Sequence, residues 1–315
     1  MRGAISFLLF LLLPSLCLAQ ACSFTATDMS FGAVDTLSGG AVNSTSTISV
    51  SCTGELLTQR RILICPGIGA GSGGASSAAA RQMLNGASSL NYQFYSDSGR
   101  SVIWGSNNWA YSAKPPPYAL SLNLLGFANG STTVYGTVFG SQGAAAPGSY
   151  LSSFSAADTY FIYRYTSDTN CDAPSGTLAT VSFAVNASVA ANCLVSVENV
   201  DFGTRGVLSA NVDATGSVTA TCTPGTTYTI SLSGGTANAA PTARKMAKGA
   251  ETVTYGLYKD TNRSQPWGDA ATPGSTVAGT GNGAAQILTV YGRVPAQHTP
   301  TPGTYTDTVV VTLTY

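Results

Sequence analysis

The sequence predicts an all-β chain built as two tandem β-sandwiches, and three observations carry that prediction. Short segments such as Thr47-Ile48-Ser49-Val50, Tyr92-Gln93-Phe94-Tyr95, Val218-Thr219-Ala220-Thr221 and Tyr228-Thr229-Ile230-Ser231-Leu232 alternate or are rich in β-formers, with Gly, Pro, Asn and Asp clusters between them. No long stretch repeats its apolar residues at helical spacing, and short turn-bounded strands of this kind indicate sandwiches. The third observation is an internal duplication, so that what one half builds the other builds again.

In chain order, Arg2 precedes an apolar run from Ile5 to Leu13, then Pro14, and Ala19-Gln20-Ala21 offers the small-x-small pattern of a signal-peptidase site. Residues 1–21 therefore read as a signal peptide, with the mature, exported chain starting at Cys22. A lipid anchor on Cys22 competes with this, but Ala19 stands where a lipobox has Leu. No other apolar run reaches the roughly 18 residues of a membrane-spanning helix. Cys22 to Tyr315 is long enough for two domains. With 9% charged residues and 14 basic residues balancing 14 acidic ones, the chain has no basic face for nucleic acid and no acidic tail.

The duplication appears when Cys22 is laid on Cys193. Phe31-Gly32 follows the first and Phe202-Gly203 the second, each nine residues on. Arg81-Gln82-Met83-Leu84-Asn85-Gly86 lies on Arg244-Lys245-Met246-Ala247-Lys248-Gly249, continuing without a gap to Trp104-Gly105 on Trp267-Gly268. Val134-Tyr135-Gly136 then matches Val290-Tyr291-Gly292, and Pro147-Gly148-Ser149-Tyr150 matches Pro302-Gly303-Thr304-Tyr305. Six cysteines remain after the signal peptide, an even number in an exported chain, and spacing alone leaves 15 pairings open. The repeat pairs Cys22 with Cys52 and Cys193 with Cys222; elimination leaves Cys65 with Cys171, the alternative being a free buried pair.

Between the copies lies Thr177–Val189, whose odd positions from Ala179 onward are all apolar and whose even positions are small or polar. It reads as one strand with one buried face, carrying Val181, Phe183, Val185 and Val189 inward. No such strand follows the second copy, which ends on the inward face Val309, Val311, Leu313 and Tyr315.

The Cys-x8-Phe-Gly start, the Arg-x-Met...Gly...Tyr-x-x-Tyr-x-Asp...Trp-Gly middle and the Val-Tyr-Gly...Pro-Gly-x-Tyr end resemble the spore coat protein U domain, in both copies and hence over nearly all of the mature chain. That family includes the pilin module of archaic, Csu-type chaperone-usher pili. The resemblance implies immunoglobulin-like, pilin-type sandwiches, each short of its final strand and completed by a donated one. It also implies as partners a periplasmic pilus chaperone, an outer-membrane usher and an adjacent pilin subunit. Residues 22–189 are then expected to be a display domain completed from within by 177–189, and residues 190–315 a pilin domain that accepts a strand through Val309, Val311, Leu313 and Tyr315. Because the mature chain opens on Cys22, no donor segment precedes it, and the expected place is the pilus tip, outside the cell.

Function in the first copy is expected in what it adds to the shared scaffold. Cys52 to Arg81 spans 29 residues against 22 in the second copy, Trp104 to Val134 spans 30 against 23, and Tyr135 to Asp158 spans 23 against 16 if Asp158 matches Asp307. That last match sets Arg164 opposite Leu313 and so marks a register slip. Apolar residues of these insertions, namely Ile68, Trp109, Tyr111, Pro116, Tyr118, Leu120, Leu151 and Phe154, are the expected contacts to an abiotic or host surface; the competing reading folds the aromatics back onto the sandwich. No cofactor or metal is expected and the chain reads as no enzyme: His298 is its only histidine, and no Gly-x-Ser-x-Gly elbow is present. The expected function is surface attachment and biofilm formation by a pilus tip, the alternative being a structural coat or non-tip fimbrial protein.

Overall fold

The computed structural model describes residues 19–57, 59–172 and 175–315; all but the last three residues of the expected signal peptide lie outside them. The first half forms β1 (Ala21–Ala26), β2 (Met29–Val34), β3 (Val42–Thr53), β4 (Arg61–Ile68), β5 (Ala75–Ser77), β6 (Ala80–Asn85), β7 (Ser88–Tyr95), β8 (Tyr118–Ser121), β9 (Phe127–Val138), β10 (Gly148–Phe154), β11 (Thr159–Tyr165), β12 (Thr177–Ala179) and β13 (Phe183–Val189). The second forms β14 (Cys193–Glu198), β15 (Val212–Cys222), β16 (Thr227–Leu232), β17 (Arg244–Lys248), β18 (Glu251–Tyr258), β19 (Val277–Thr280), β20 (Ala285–Val294) and β21 (Val311–Thr314).

Each half is a sandwich of a larger and a smaller sheet. In the first, a nine-stranded sheet in the order β1-β3-β9-β7-β6-β10-β13-β2, with β5 beside β6, faces the four-stranded β12-β11-β4-β8. In the second, β14-β15-β20-β18-β17 faces β19-β16-β21. Strands with one face on the core alternate, as β10 does with Tyr150, Ser152 and Phe154 inward. β4 is instead an almost unbroken buried run, because Cys65, Leu63, Ile162 and Cys171 form a second small core on its outer side. The Cys65–Cys171 disulfide lies in that cluster, whereas Cys22–Cys52 staples β1 to β3 and Cys193–Cys222 staples β14 to β15.

The repeated Arg-x-Met motif acquires a physical role in both cores. Arg81 is fully buried and donates to the carbonyls of Gly69, Ile68 and Trp104 at 2.6, 2.6 and 2.8 Å. Arg244, also buried, donates to the carbonyls of Ser233, Leu232 and Trp267 at 2.8, 3.3 and 2.9 Å. Trp104 and Trp267 donate in turn to the carbonyls of Pro66 and Ile230. A guanidinium with five donors in a rigid fork holds three carbonyls on two backbone segments in a fixed geometry that a lysine's point-like ammonium would not impose. Burial pulls the Arg81 guanidinium down to about 10, with Tyr92 and Asp158 acting the other way.

The segment between the copies is two strands rather than the single one expected. Thr177–Ala179 pairs antiparallel with Phe161–Tyr163 at the edge of the smaller sheet, and Phe183–Val189 then enters the larger sheet. Val181 sits in the crossover, half-buried, where its N–H donates to the Thr159 hydroxyl at 3.1 Å. β13 runs antiparallel to β10 and parallel to β2, so it closes a gap between them. Phe183, Val185, Ala187 and Val189 are buried, and the Phe183 ring stacks on Phe154 with centroids 4.6 Å apart. A register irregularity between Asn186 and Ser188 falls beside Gly32, whose φ of +68° a side chain rarely adopts.

Replacing Phe183 by Ala removes the ring around which these strands close. Such truncation costs about 3–5 kcal/mol. In denaturant unfolding of the full chain the first-half transition should shift by that amount and the second-half transition should stay in place.

Candidate functional site

The shared arginine and tryptophan contacts fix which residues correspond between the halves. Pro66 answers to Ile230 and Ile68 to Leu232, so that β11, paired with β4, answers to β21, paired with β16, with Phe161 on Leu313 and Thr159 on Val311. Likewise Gly73 N–H donates to the Ser152 hydroxyl and Thr236 N–H to the Asp307 carboxylate, which sets Ser152 on Asp307. Gly69 N–H donates to the Asp158 carbonyl and Ser233 N–H to that of Val310, so Asp158 answers to Val310 and not to Asp307. The register slip is a short 3-10 turn, Ala156–Asp158, in the first copy. Correspondingly, the third apparent insertion shrinks: Tyr135 to Tyr150 spans 15 residues against 14 from Tyr291 to Tyr305.

With β10 placed on 303–309 and β2 on 200–205, the counterpart of β13 is missing among the described residues. One isolated bridge, Ala247 to Thr306, is the only ladder contact described for the 303–309 segment. Between the two segments lies an open groove of about 1080 Å³, with Val200, Phe202, Tyr255, Leu257, Tyr305 and Val309 among its walls. Its lip is already shaped: Gly203 has φ +67°, matching Gly32, although among the described residues no strand lies against it. Val309 and Val311 line the groove. Leu313 instead sits half-buried on β21 opposite Ile230, and Tyr315 is exposed outside the groove, because the chain changes sheets at Val310–Val311.

Asp307 stands among the charged residues of the groove wall, with Glu198, Asp201 and Arg205, and accepts a hydrogen bond from Tyr255 of the same wall. Burial pushes its carboxyl up, but hydrogen bonds from Thr236 N–H, the Tyr255 hydroxyl and Thr308 N–H outweigh that and hold it below the usual carboxylate range. For Tyr255 the same surroundings, burial first and the carboxylate second, push the phenol well up, so it stays a donor.

The first copy presents a different feature at one end. Leu56 and Leu57 in the β3–β4 loop meet Leu124 and Leu125 in the β8–β9 loop, joined by a 3.0 Å bond from Leu57 N–H to the Leu124 carbonyl. Leu57 is 78% and Leu125 66% exposed, and Phe127 beside them is exposed too. Leu57 has φ +61°, a strained conformation for a side-chain-bearing residue. Asn123 shapes the second loop by accepting from Leu125 and Phe127 N–H at 2.9 and 3.0 Å. The same end of the second copy carries Thr223-Pro224-Gly225-Thr226 and Gly281-Asn282-Gly283-Ala284. There Gly283 abuts the first copy so closely that an added Cβ would lie 2.2 Å from the Gly143 carbonyl oxygen.

The expected surface residues lie elsewhere. Ile68 and Phe154 are 0% and 1% exposed and belong to the core, which corrects their assignment: Phe154 is the stacking partner of Phe183. Trp109 packs back over Arg81, its ring 4.4 Å from the guanidinium carbon, and contacts Tyr111 edge-on. Tyr111 donates to the Ala75 carbonyl at 3.2 Å, and Pro116 is half-buried. Tyr118 and Leu120 on β8 pack against the core between the sheets. Leu151 alone of the eight is exposed, on β10 opposite Leu84. Adjacent leucines were the available signal for Leu56-Leu57 and Leu124-Leu125, since neighbours in an extended chain point to opposite sides and one of each pair must face out.

The family model described as Spore Coat Protein U domain matches residues 8–157 and again 179–312. "Protein U" of Myxococcus xanthus is 34% identical over 129 residues, 37% of this chain and 71% of that protein. Among solved structures, the chaperone–tip adhesion subunit pre-assembly complex CsuC–CsuE, from archaic chaperone-usher Csu pili of Acinetobacter baumannii, has a chain similar in fold at a TM-score of 0.52 and 16% identity, covering 94% of this chain and 100% of that one. The CupB6 tip adhesin of Pseudomonas aeruginosa matches at a TM-score of 0.39 and 13% identity, over 93% and 94% of the two chains.

The depressed Asp307 carboxyl has a consequence for stability. Its contribution is present above the ordinary value of 3.8 and is lost as pH falls through the lower folded value. Asp307→Asn should therefore lower the second-half melting temperature near neutral pH, and the difference from the unmodified chain should narrow as pH is taken below 3.8. Melting curves of both chains between pH 2 and 7 test this.

Proposed function

This chain belongs to the spore coat protein U domain family, and we propose that it is a pilus tip subunit that attaches bacteria to surfaces through the apolar end of its first copy. The observation that carries the reading is the contrast between the copies: one gap closed by β13, the other left as an apolar groove with a preformed lip.

Residues 22–189 would form the display domain and 190–315 the pilin domain. An open sheet gap with an apolar floor is suited to an added strand, which gains main-chain hydrogen bonds on both sides and buries alternate side chains. In this reading a periplasmic chaperone supplies that strand first, and an adjacent pilin subunit supplies it after passage through an outer-membrane usher. The chain of similar fold from Acinetobacter baumannii belongs to a pre-assembly complex of a chaperone with a tip adhesion subunit, which supports the same partnership for this chain.

The first copy, already closed, joins the filament through the second. Its leucine end lies where β3 begins pairing with β1, at Thr53, whereas the chain leaves the copy beside Val34, near the other end of β3. Twelve residues of strand separate these ends by roughly 36 Å. Leucines held on two short loops, away from the exit to the second copy, offer an apolar contact to a surface, and none of this calls for catalysis.

Leu57→Glu combined with Leu125→Glu tests the attachment. Both side chains are exposed, so stability should change by no more than about 0.5 kcal/mol per site. Attachment of piliated cells to a hydrophobic plastic should fall by more than about tenfold, since two leucine contacts are each worth about 1.5–3 kcal/mol. Unchanged attachment with pili intact would instead favour a structural coat or fimbrial role.

A further inference from the structure

We propose that the strand accepted by the second copy is the trailing part of a longer clasp. A partner segment of about thirteen residues would pair its first three with Leu313–Tyr315 at the free edge of β21, cross over, and fill the groove with its last seven. This rests on the strand-accepting reading above and extends it to a second contact on the other sheet.

The first copy supplies the template. β12 and β13 come from one continuous segment but serve different sheets: Thr177, Leu178 and Ala179 pair with Tyr163, Ile162 and Phe161, and Phe183 to Val189 pair with Phe154 to Gly148. Carried across by the correspondence of Phe161 with Leu313, the same register sets the partner's first three residues on Tyr315, Thr314 and Leu313. The correspondence of Phe154 with Val309 sets its last seven from Val309 to Gly303.

The second copy also bears the mark of a missing β12. In the first copy β12 lies beside β1 as well as β11, on the side where Phe24 and Ala26 are partly buried and Phe24 meets Phe161 edge-on at 5.4 Å. The counterparts on β14 are Val195 and Val197, in the same inward parity, and both are exposed. β21 is the edge of its sheet, and among the described residues no strand lies between it and β14. An exposed pair of valines beside an unpaired edge of Leu313–Thr314 is what the removal of a short covering strand leaves. Val197 also borders the groove, but Val195 does not, so groove filling alone would leave Val195 and the β21 edge bare.

The crossover differs between the copies in one respect. In the first, the Thr159 hydroxyl is bonded to both the N–H and the carbonyl of Val181. Its counterpart is Val311, which has no hydroxyl, so the partner's crossover residue packs on an apolar side chain there instead.

Three peptides test the clasp on the full mature chain: the sequence of residues 177–189, that of 183–189 alone, and the longer one with its first three residues replaced by proline, which has no N–H to donate. The first should bind about five- to tenfold more tightly than the other two, the gain expected of one or two added backbone hydrogen bonds. It alone should slow amide exchange along Val311–Tyr315. Equal binding by all three, with exchange slowed only along 303–309, would overturn the clasp and leave the groove reading standing. No binding by any of them, and no protection on either segment, would overturn both.

Discussion

A β-sheet with a strand missing from its interior is short in two ways: both lips keep unpaired backbone groups, and the core beneath loses its cover. The same seven-residue place meets both conditions in each half of this protein. In the first, β13 bonds to β10 on one side and β2 on the other while Phe183, Val185, Ala187 and Val189 cover the core. In the second, Phe202, Tyr305 and Val309 line an open groove. Three or four apolar side chains seated there are worth about 5–10 kcal/mol, comparable to the whole net stability of a domain at about 5–15.

Duplication makes each half a control for the other. What both keep is the framework that holds the gap open: the buried arginine tying three carbonyls, the tryptophan beneath it, the first disulfide and the glycine at positive φ on the lip. Beyond the strand in the gap, one contrast between them lies at one end. There the second copy carries small residues, including the glycine that meets the first copy backbone to backbone, while the first carries four leucines and a phenylalanine facing outward.

The sequence made the fold readable wherever a residue's role follows from a period or a repeat. Alternation marked the strands, the repeat aligned Cys22 with Cys52 and Cys193 with Cys222, and elimination left Cys65 with Cys171, the three pairs that the structure joins. It misled where the chain changes sheets. Thr177–Val189 keeps an unbroken two-residue period, but its inward residues belong to two sheets, and a period does not record a crossover. The run from Val309 to Tyr315 hides the same change. Loop chemistry was harder still, since an aromatic in an insertion serves core and surface equally well: Trp109 caps a buried arginine that lies 28 residues before it in sequence. Phe154 entered the surface set because Asp158 was matched to Asp307, whereas a three-residue 3-10 turn absorbs the difference.

An uncovered apolar groove should tend to collapse, and the contacts around it explain why it keeps its width. Arg244 fixes the carbonyls of Leu232 and Ser233 at the rear of the floor, where inward drift would break charge-assisted bonds in a low-dielectric interior. Asp307 ties the 303–309 lip outward to Thr236 and upward to Tyr255, so closure over the floor would strip a carboxylate of its donors. The Phe202 lip cannot straighten against its neighbours while Gly203 holds its left-handed turn. Each restraint is polar or conformational, and none depends on the side chains that an incoming strand would bring. The groove is thus shaped without an incoming strand, so that under the proposed function the ordering cost of a partner strand would fall mainly on the partner.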